Sequence, residues 1–208
     1  ATPATAGPGP PRDLELRFKR ELVLARQITH KNVVRIHDIG EVAGMKYLTM
    51  PFIEGETLAE SLRREGKLPV PRALAIARQV ALGLTAAHDK GVVHRDLKPE
   101  NIMIEKGEDA AGGDALIMDF GIARSVDQGS TQTAAGSVIG TLEYMAPEQA
   151  QGKKVDRRAD LYAFGLILYD MLLGRQRLAN RDNPMSELVG RLSPSPAPPR
   201  SVDPTIPE

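Results

Sequence analysis

The chain has no cysteine. Disulfide staples and thiolate metal sites are therefore excluded, and a reducing compartment fits. It has no net charge either, since Lys plus Arg and Asp plus Glu each total 27. Bulk electrostatic attraction to nucleic acid or to an anionic membrane surface is thus not its way of binding. No apolar run approaches the roughly 20 residues that cross a bilayer, and the opening stretch ATPATAGPGPPRD lacks the apolar centre of a signal peptide. No internal repeat is visible. These absences lead us to expect a soluble, cytoplasmic protein with no nucleic-acid partner and no membrane segment in this chain, an anchor beyond the C-terminus being left open. What is present is 208 residues, 41% of them apolar, enough for one well-buried core or a small core beside a larger one.

Residues 1–12 hold Pro, Gly, Ala and Thr with nothing to bury and read as disordered. Over residues 13–29, Leu14, Phe18, Leu22 and Ala25 recur about once per turn, which predicts a helix. Two runs rich in β-branched residues follow, at 33–39 and 45–50. The Val42-Ala43-Gly44 link between them suggests an antiparallel pair. Residues 51–56 read as a connector, because Pro51 cannot serve a central ladder and Gly55 permits a turn. Pro71 then stands where a helix can begin, and Ala73, Ile76, Ala77, Val80, Leu84 and Ala87 keep helical spacing. Short apolar strands are predicted at 101–104 and 115–118, on either side of a polar, Gly-rich loop. Residues 122–143 show little pattern and read as a long mobile segment. Residues 160–173 are apolar nearly all round, as in a helix buried within a lobe, with Gly174 to end it. Pro and Ser dominate from Ser193 onward.

Three short motifs occur in order: His94-Arg95-Asp96-Leu97-Lys98-Pro99-Glu100-Asn101, then Asp119-Phe120-Gly121, then Ala146-Pro147-Glu148. One triplet alone would be weak. All three in sequence, with short strands between the first two and a patternless segment before the third, are specific. They resemble the catalytic motifs of protein kinases, and the chain resembles the bacterial eukaryote-like (Hanks-type) Ser/Thr kinases. The resemblance implies an α+β, kinase-like two-lobe fold, with a partial small lobe (helix C plus strands) and an incomplete, mainly helical large lobe. The expected division is a disordered segment at 1–13, partial small lobe at 14–50, large lobe at 51–192, and a Pro/Ser-rich end at 193–208.

It also implies transfer of the ATP γ-phosphoryl group to Ser or Thr hydroxyls of proteins. Phosphoryl transfer needs an oriented oxygen nucleophile and neutralised phosphate charge. By resemblance Asp96 orients the hydroxyl and accepts its proton. Lys98, two residues along an extended loop, would point to the same side and meet the γ-phosphate as a point charge. Asn101 and Asp119 offer the oxygen ligands that Mg²⁺ (or Mn²⁺) prefers. Lysine at 98, and Thr141 before the third motif, favour Ser/Thr over Tyr specificity. Met50 would be the gatekeeper, with Pro51 and Ile53 offering backbone groups to adenine, and Met103 and Met118 lining the pocket. Arg95 would pair with a phosphorylated residue, with Thr131 and Thr133 as candidate autophosphorylation sites, by self-association. Glu21 matches the helix glutamate that pairs with the ATP-binding lysine. Phe120, Glu148 and Asp160 match structural positions, Asp160 bracing the catalytic loop from a helix start where an N-cap also fits.

The Gly-rich strand–turn–strand and the lysine-bearing strand of the family are not in this sequence. Gly7-Pro8-Gly9-Pro10 is no substitute, because proline lacks the N–H donors that a phosphate loop requires. We therefore expect a truncated part of a kinase domain, weak or inactive alone. Two other readings stand beside it: a non-catalytic kinase-like scaffold, and a remnant without a stable fold.

Overall fold

The computed structural model describes residues 23–43, 45–107, 113–120, 142–174 and 197–207. Most of the helix expected at 13–29 lies outside them, with residues 23–26 helical. Two strands follow, β1 (Asp38–Val42) and β2 (Met45–Thr49), antiparallel with Asp38 opposite Thr49 and Val42 opposite Met45. The expected strand at 33–39 thus begins only at Asp38. Val33 and Val34 are buried side by side, whereas a hairpin strand alternates its two faces. They serve the larger core: Val33 bridges in parallel to Ile117, and the Val34 N–H donates to the Ile117 carbonyl at 2.8 Å.

A second sheet runs β3 (Gly55–Thr57), β4 (Ile102–Glu105), β5 (Ala115–Ile117), all antiparallel, with β4 in the centre. Asn101, expected at the start of a strand, instead closes a one-turn 3₁₀ helix, Pro99–Asn101. Between β3 and that turn lie α1 (Leu58–Glu65) and α2 (Val70–Asp89). Helix α1 is absent from the sequence expectation, yet it carries a clear start signal. Thr57 Oγ1 accepts the Glu60 N–H at 3.2 Å, and the Glu60 carboxylate accepts the Thr57 N–H at 2.8 Å, a reciprocal cap of the type Thr-x-x-Glu.

Helix α2 buries the face read from its spacing: Ala73, Ile76, Ala77, Val80, Leu84 and Ala87 are all in the core. It packs against α4 (Arg158–Leu173), which follows the short α3 (Pro147–Ala150). Helix α4 buries Ala163, Leu166, Ile167 and Met171, and Gly174 ends it with a φ of 74°. The C-terminal segment is part of the same body. A last helical turn, α5 (Pro199–Val202), contacts α4, and Ile206 is buried. Thr205 and Lys67 hold the Asp203 carboxylate, lowering its pKa from 3.8 to about 2.

At Gly83 the chain tolerates no side chain. A Cβ there would sit 2.7 Å from the Asn32 carbonyl oxygen and 2.9 Å from Ile117 Cδ1. In an ordinary helix, Gly→Ala gains about 1 kcal/mol. Here overpacking costs about 1–3 kcal/mol, so Gly83→Ala should lower the urea midpoint. A raised midpoint would contradict the packing.

Candidate functional site

The site is built on the loop between α2 and β4. Residues 94 and 95 lie in no ladder, so their backbone donors need another partner. Asp160, in the first turn of α4 and almost fully buried, supplies it. One carboxylate oxygen accepts the His94 N–H at 2.8 Å, and the other accepts the Arg95 N–H at 2.8 Å. His88 Nε2 lies 2.7 Å from the first of these oxygens. Asp160 is not the helix N-cap, a place taken by Arg157; its carboxylate turns to the loop instead of its own helix. Arg95 has a φ of 64° and its carbonyl accepts Gln149 Nε2 at 2.8 Å. A non-glycine residue with positive φ persists only where its surroundings hold it.

Beyond that turn, Lys98 is fully extended, and its Nζ lies 3.2 Å from Asp96 Oδ2. Asn101 Nδ2 donates to the Asp96 carbonyl at 2.9 Å. The Asn101 carbonyl in turn accepts the Met118 N–H at 2.9 Å, and His94 Nε2 lies 3.0 Å from the Met118 carbonyl. Asp119 follows with a φ of 54°, its side chain exposed and without a hydrogen-bond partner among the described residues. Phe120 is buried, its ring centroid 4.8 Å from that of His94. Asp96, Lys98 and Asn101 are thus joined directly, and Asp119 reaches them through Met118.

Ile102 and Ile104 of β4 face the core, as do Ala115 and Ile117 of β5. Half-buried Met103, Leu116 and Met118 therefore look out from the opposite side of the sheet. Met50, Pro51 and Ile53 lie in the connector from β2 to β3, Met50 and Pro51 exposed and Ile53 half-buried. Among the described residues none of the three makes a hydrogen bond, so the Ile53 N–H and the Pro51 carbonyl are open to a ligand. Glu148, in α3, makes no side-chain hydrogen bond among the described residues, and its charge acts on Arg158. Glu21, Thr131, Thr133, Thr141 and Gly121 lie outside them.

The arrangement of loop, strand and buried helix carries the motif residues at one rim of the β3–β4–β5 sheet. Residues 12–193 match the protein kinase domain. The chain belongs to the protein kinase family. It is 51% identical over 161 residues to the serine/threonine-protein kinase pkn2 of Myxococcus xanthus, covering 76% of this chain and 19% of that protein. It is 38% identical over 189 residues to the serine/threonine-protein kinase PknB of Mycobacterium tuberculosis, covering 88% of this chain and 29% of that protein. A probable serine/threonine-protein kinase of Clostridium perfringens is 37% identical over 191 residues, covering 92% of this chain and 27% of that protein. The chain therefore spans less than a third of the length of these curated relatives.

The family uses ATP and a divalent metal, and the donor set suits a hard cation. Asn101 Oδ1 accepts no hydrogen bond among the described residues, and the Asp119 carboxylate faces solvent. Mg²⁺ keeps several waters and takes few protein oxygens.

Sequence reading missed three residues of this kinase domain. His88 and Gln149 touch the loop from helices, at positions that pattern reads as solvent-facing or capping. Asp170, fully buried in α4, accepts the Tyr144 hydroxyl at 2.7 Å; only an acid within an apolar helix signalled it.

Removal of the Asp160 carboxylate strands two buried N–H donors and His88. Asp160→Ala should cost about 3–5 kcal/mol in urea unfolding, and Asp160→Asn clearly less. Equal, small losses for both would refute the brace.

Burial holds the His94 imidazole below its ordinary pKa of 6.5, against the opposing pull of Asp160. The unfolded chain then binds a proton that the folded chain refuses, so stability falls as pH drops below 6.5. The melting temperature should decline from pH 7.5 to 5.5, and His94→Phe should flatten that slope. An unchanged slope in the variant would assign the effect elsewhere.

Proposed function

We propose that this kinase domain transfers the γ-phosphoryl group of ATP to Ser or Thr hydroxyls of protein substrates. The observation that carries the reading is the linked set of Asp96, Lys98 and Asn101, tied through Met118 to Asp119. Asp96 orients the acceptor hydroxyl and takes its proton, contributing about 10²–10⁴-fold. Lys98, held beside Asp96 by an extended backbone, steadies that carboxylate and balances phosphate charge. Asn101 Oδ1 and the Asp119 carboxylate would hold Mg²⁺, which when bound neutralises the phosphate oxygens. The Ile53 N–H and Pro51 carbonyl would meet adenine, near Met50, with Met103 and Met118 beneath the ring.

Arg95 is the proposed anchor for a phosphorylated Thr131 or Thr133, formed by self-association, and Thr141 the proposed platform for the acceptor. Glu21 would pair with an ATP-binding lysine. Phe120 and Glu148 would hold the segments on either side. Among the described residues no helix is long and apolar enough to cross a membrane.

The test is nucleotide binding followed by transfer. ATP with Mg²⁺ should raise the melting temperature by several degrees, and Asp119→Asn should abolish the metal-dependent part. Asp96→Asn should bind ATP with Mg²⁺ normally, while phosphate incorporation into Ser/Thr peptides falls at least a hundredfold. Binding without any incorporation by a chain extended to the whole kinase domain would replace the enzyme with a nucleotide-binding scaffold.

A further inference from the structure

Strand β5 is three residues long, yet it leads directly into Asp119. On one side it is paired to β4. On the other, the backbone groups of Ile117 bond to the segment at 32–34: its N–H donates to the Asn32 carbonyl at 2.9 Å, and its carbonyl accepts the Val34 N–H. Two residues earlier that segment has ended, and Ala115 would be left with an unpaired donor and acceptor on the same side. Two side chains fill the gap. Gln79 Oε1, from the middle of α2, accepts the Ala115 N–H at 3.0 Å, and Asn32 Nδ2 donates to the Ala115 carbonyl at 2.9 Å. The same Asn32 Nδ2 donates to Gln79 Oε1 at 2.8 Å.

Together the two amides stand in for one more rung of a sheet. The cost of this arrangement is visible. Asn32 is fully buried, and its Oδ1 finds no partner, an orphan of the kind that native structures rarely keep without reason. Turning the amide over would satisfy nothing, because both acceptors now facing Nδ2 would then face an oxygen.

We propose that Gln79 and Asn32 are positioning residues: their paired amides fix the register of β5 and thereby the place of Asp119, one residue past the Met118–Asn101 bond. The consequence for metal–nucleotide binding rests on the kinase reading above, whereas the fixing of Asp119 does not. The tie joins three elements at one point: α2, the 32–34 segment and the strand that leads to the metal-facing acid. A disturbance at residues 32–34 is thereby carried to Asp119 without touching the catalytic loop.

Hydrogen exchange at single amides, read by NMR on the whole chain, tests the proposal. Gln79→Met keeps the volume and removes the acceptor. The amides of Ala115 and Ile117 should exchange about tenfold faster, those of Met118 and Phe120 several-fold faster, and those in the middle of α4 unchanged. Gln79→Glu retains an acceptor for both donors and should retain protection. Gly83→Ala, which displaces the Asn32 carbonyl with Gln79 intact, should loosen the same amides, and it decides the matter if Gln79→Met does not fold. Unchanged exchange at residues 115–120, an equal rise in α4, or equal loosening by Gln79→Glu would each overturn the role. ATP–Mg²⁺ titration of a chain extended to the whole kinase domain is a separate arm. Failure there removes the kinase reading, and the exchange pattern still decides whether the amides place Asp119.

Discussion

A single carboxylate fixes the loop on which everything else is arranged. The loop after α2 turns through a left-handed residue at Arg95 and has no strand beside it, so the N–H groups of His94 and Arg95 face inward. An unpaired buried donor costs about 1–3 kcal/mol. Asp160 answers two donors with two oxygens, and His88 holds the carboxylate from the far side. Because Asp160 belongs to a helix packed deep in the core, the loop inherits the rigidity of that helix. From there the constraint spreads outward. The Arg95 carbonyl takes Gln149, which brings in α3, and the His94 ring takes the Met118 carbonyl and lies tilted against Phe120.

The two motif acids are consequently held by different means. Asp96 sits in the braced loop, steadied by Lys98 and by its own carbonyl bond to Asn101. Asp119 sits at the end of a strand too short to be stable alone. Its position comes from bonds to Met118 on both sides and from the side-chain amides that complete β5. Left-handed residues occur at both places, Arg95 and Asp119. Conformations of that sort cost about 1–2 kcal/mol each and survive only where the neighbours over-determine them. The bonds around each turn are numerous enough to do so.

Much of this was legible in the sequence, for identifiable reasons. The spacing of apolar residues in α2 predicted its buried face because one stripe of it meets the core. The motif triplets located the loop and the strand end because residue type is fixed there by chemistry. The run from Val33 to Ile39 misled, since β-branched residues signal burial as readily as pairing, and Val33 and Val34 are buried together instead of alternating. Helix α1 was overlooked although Thr57 and Glu60 announce it; its short length gave periodicity little to act on. The bonds that Gln79 and Asn32 make could not be found in the sequence. Their partners are backbone atoms 36 and 83 residues away, and no local pattern encodes that.

Helix α4 is apolar on nearly every side, yet it buries two aspartates, Asp160 and Asp170. Ten residues of helix separate them by about 15 Å. The first grips the loop at residues 94 and 95, and the second accepts the hydroxyl of Tyr144, just before Ala146-Pro147-Glu148. Apolar residues at both positions would relieve the desolvation of two acids but would remove the bonds these carboxylates make to the His94 and Arg95 N–H groups and to the Tyr144 hydroxyl. The helix therefore acts as a ruler. Its rise fixes the distance between the loop carrying the proposed base and the segment that leads to α3. His94 lies in no helix or strand and Tyr144 in a turn, so their separation is set by the rod they share.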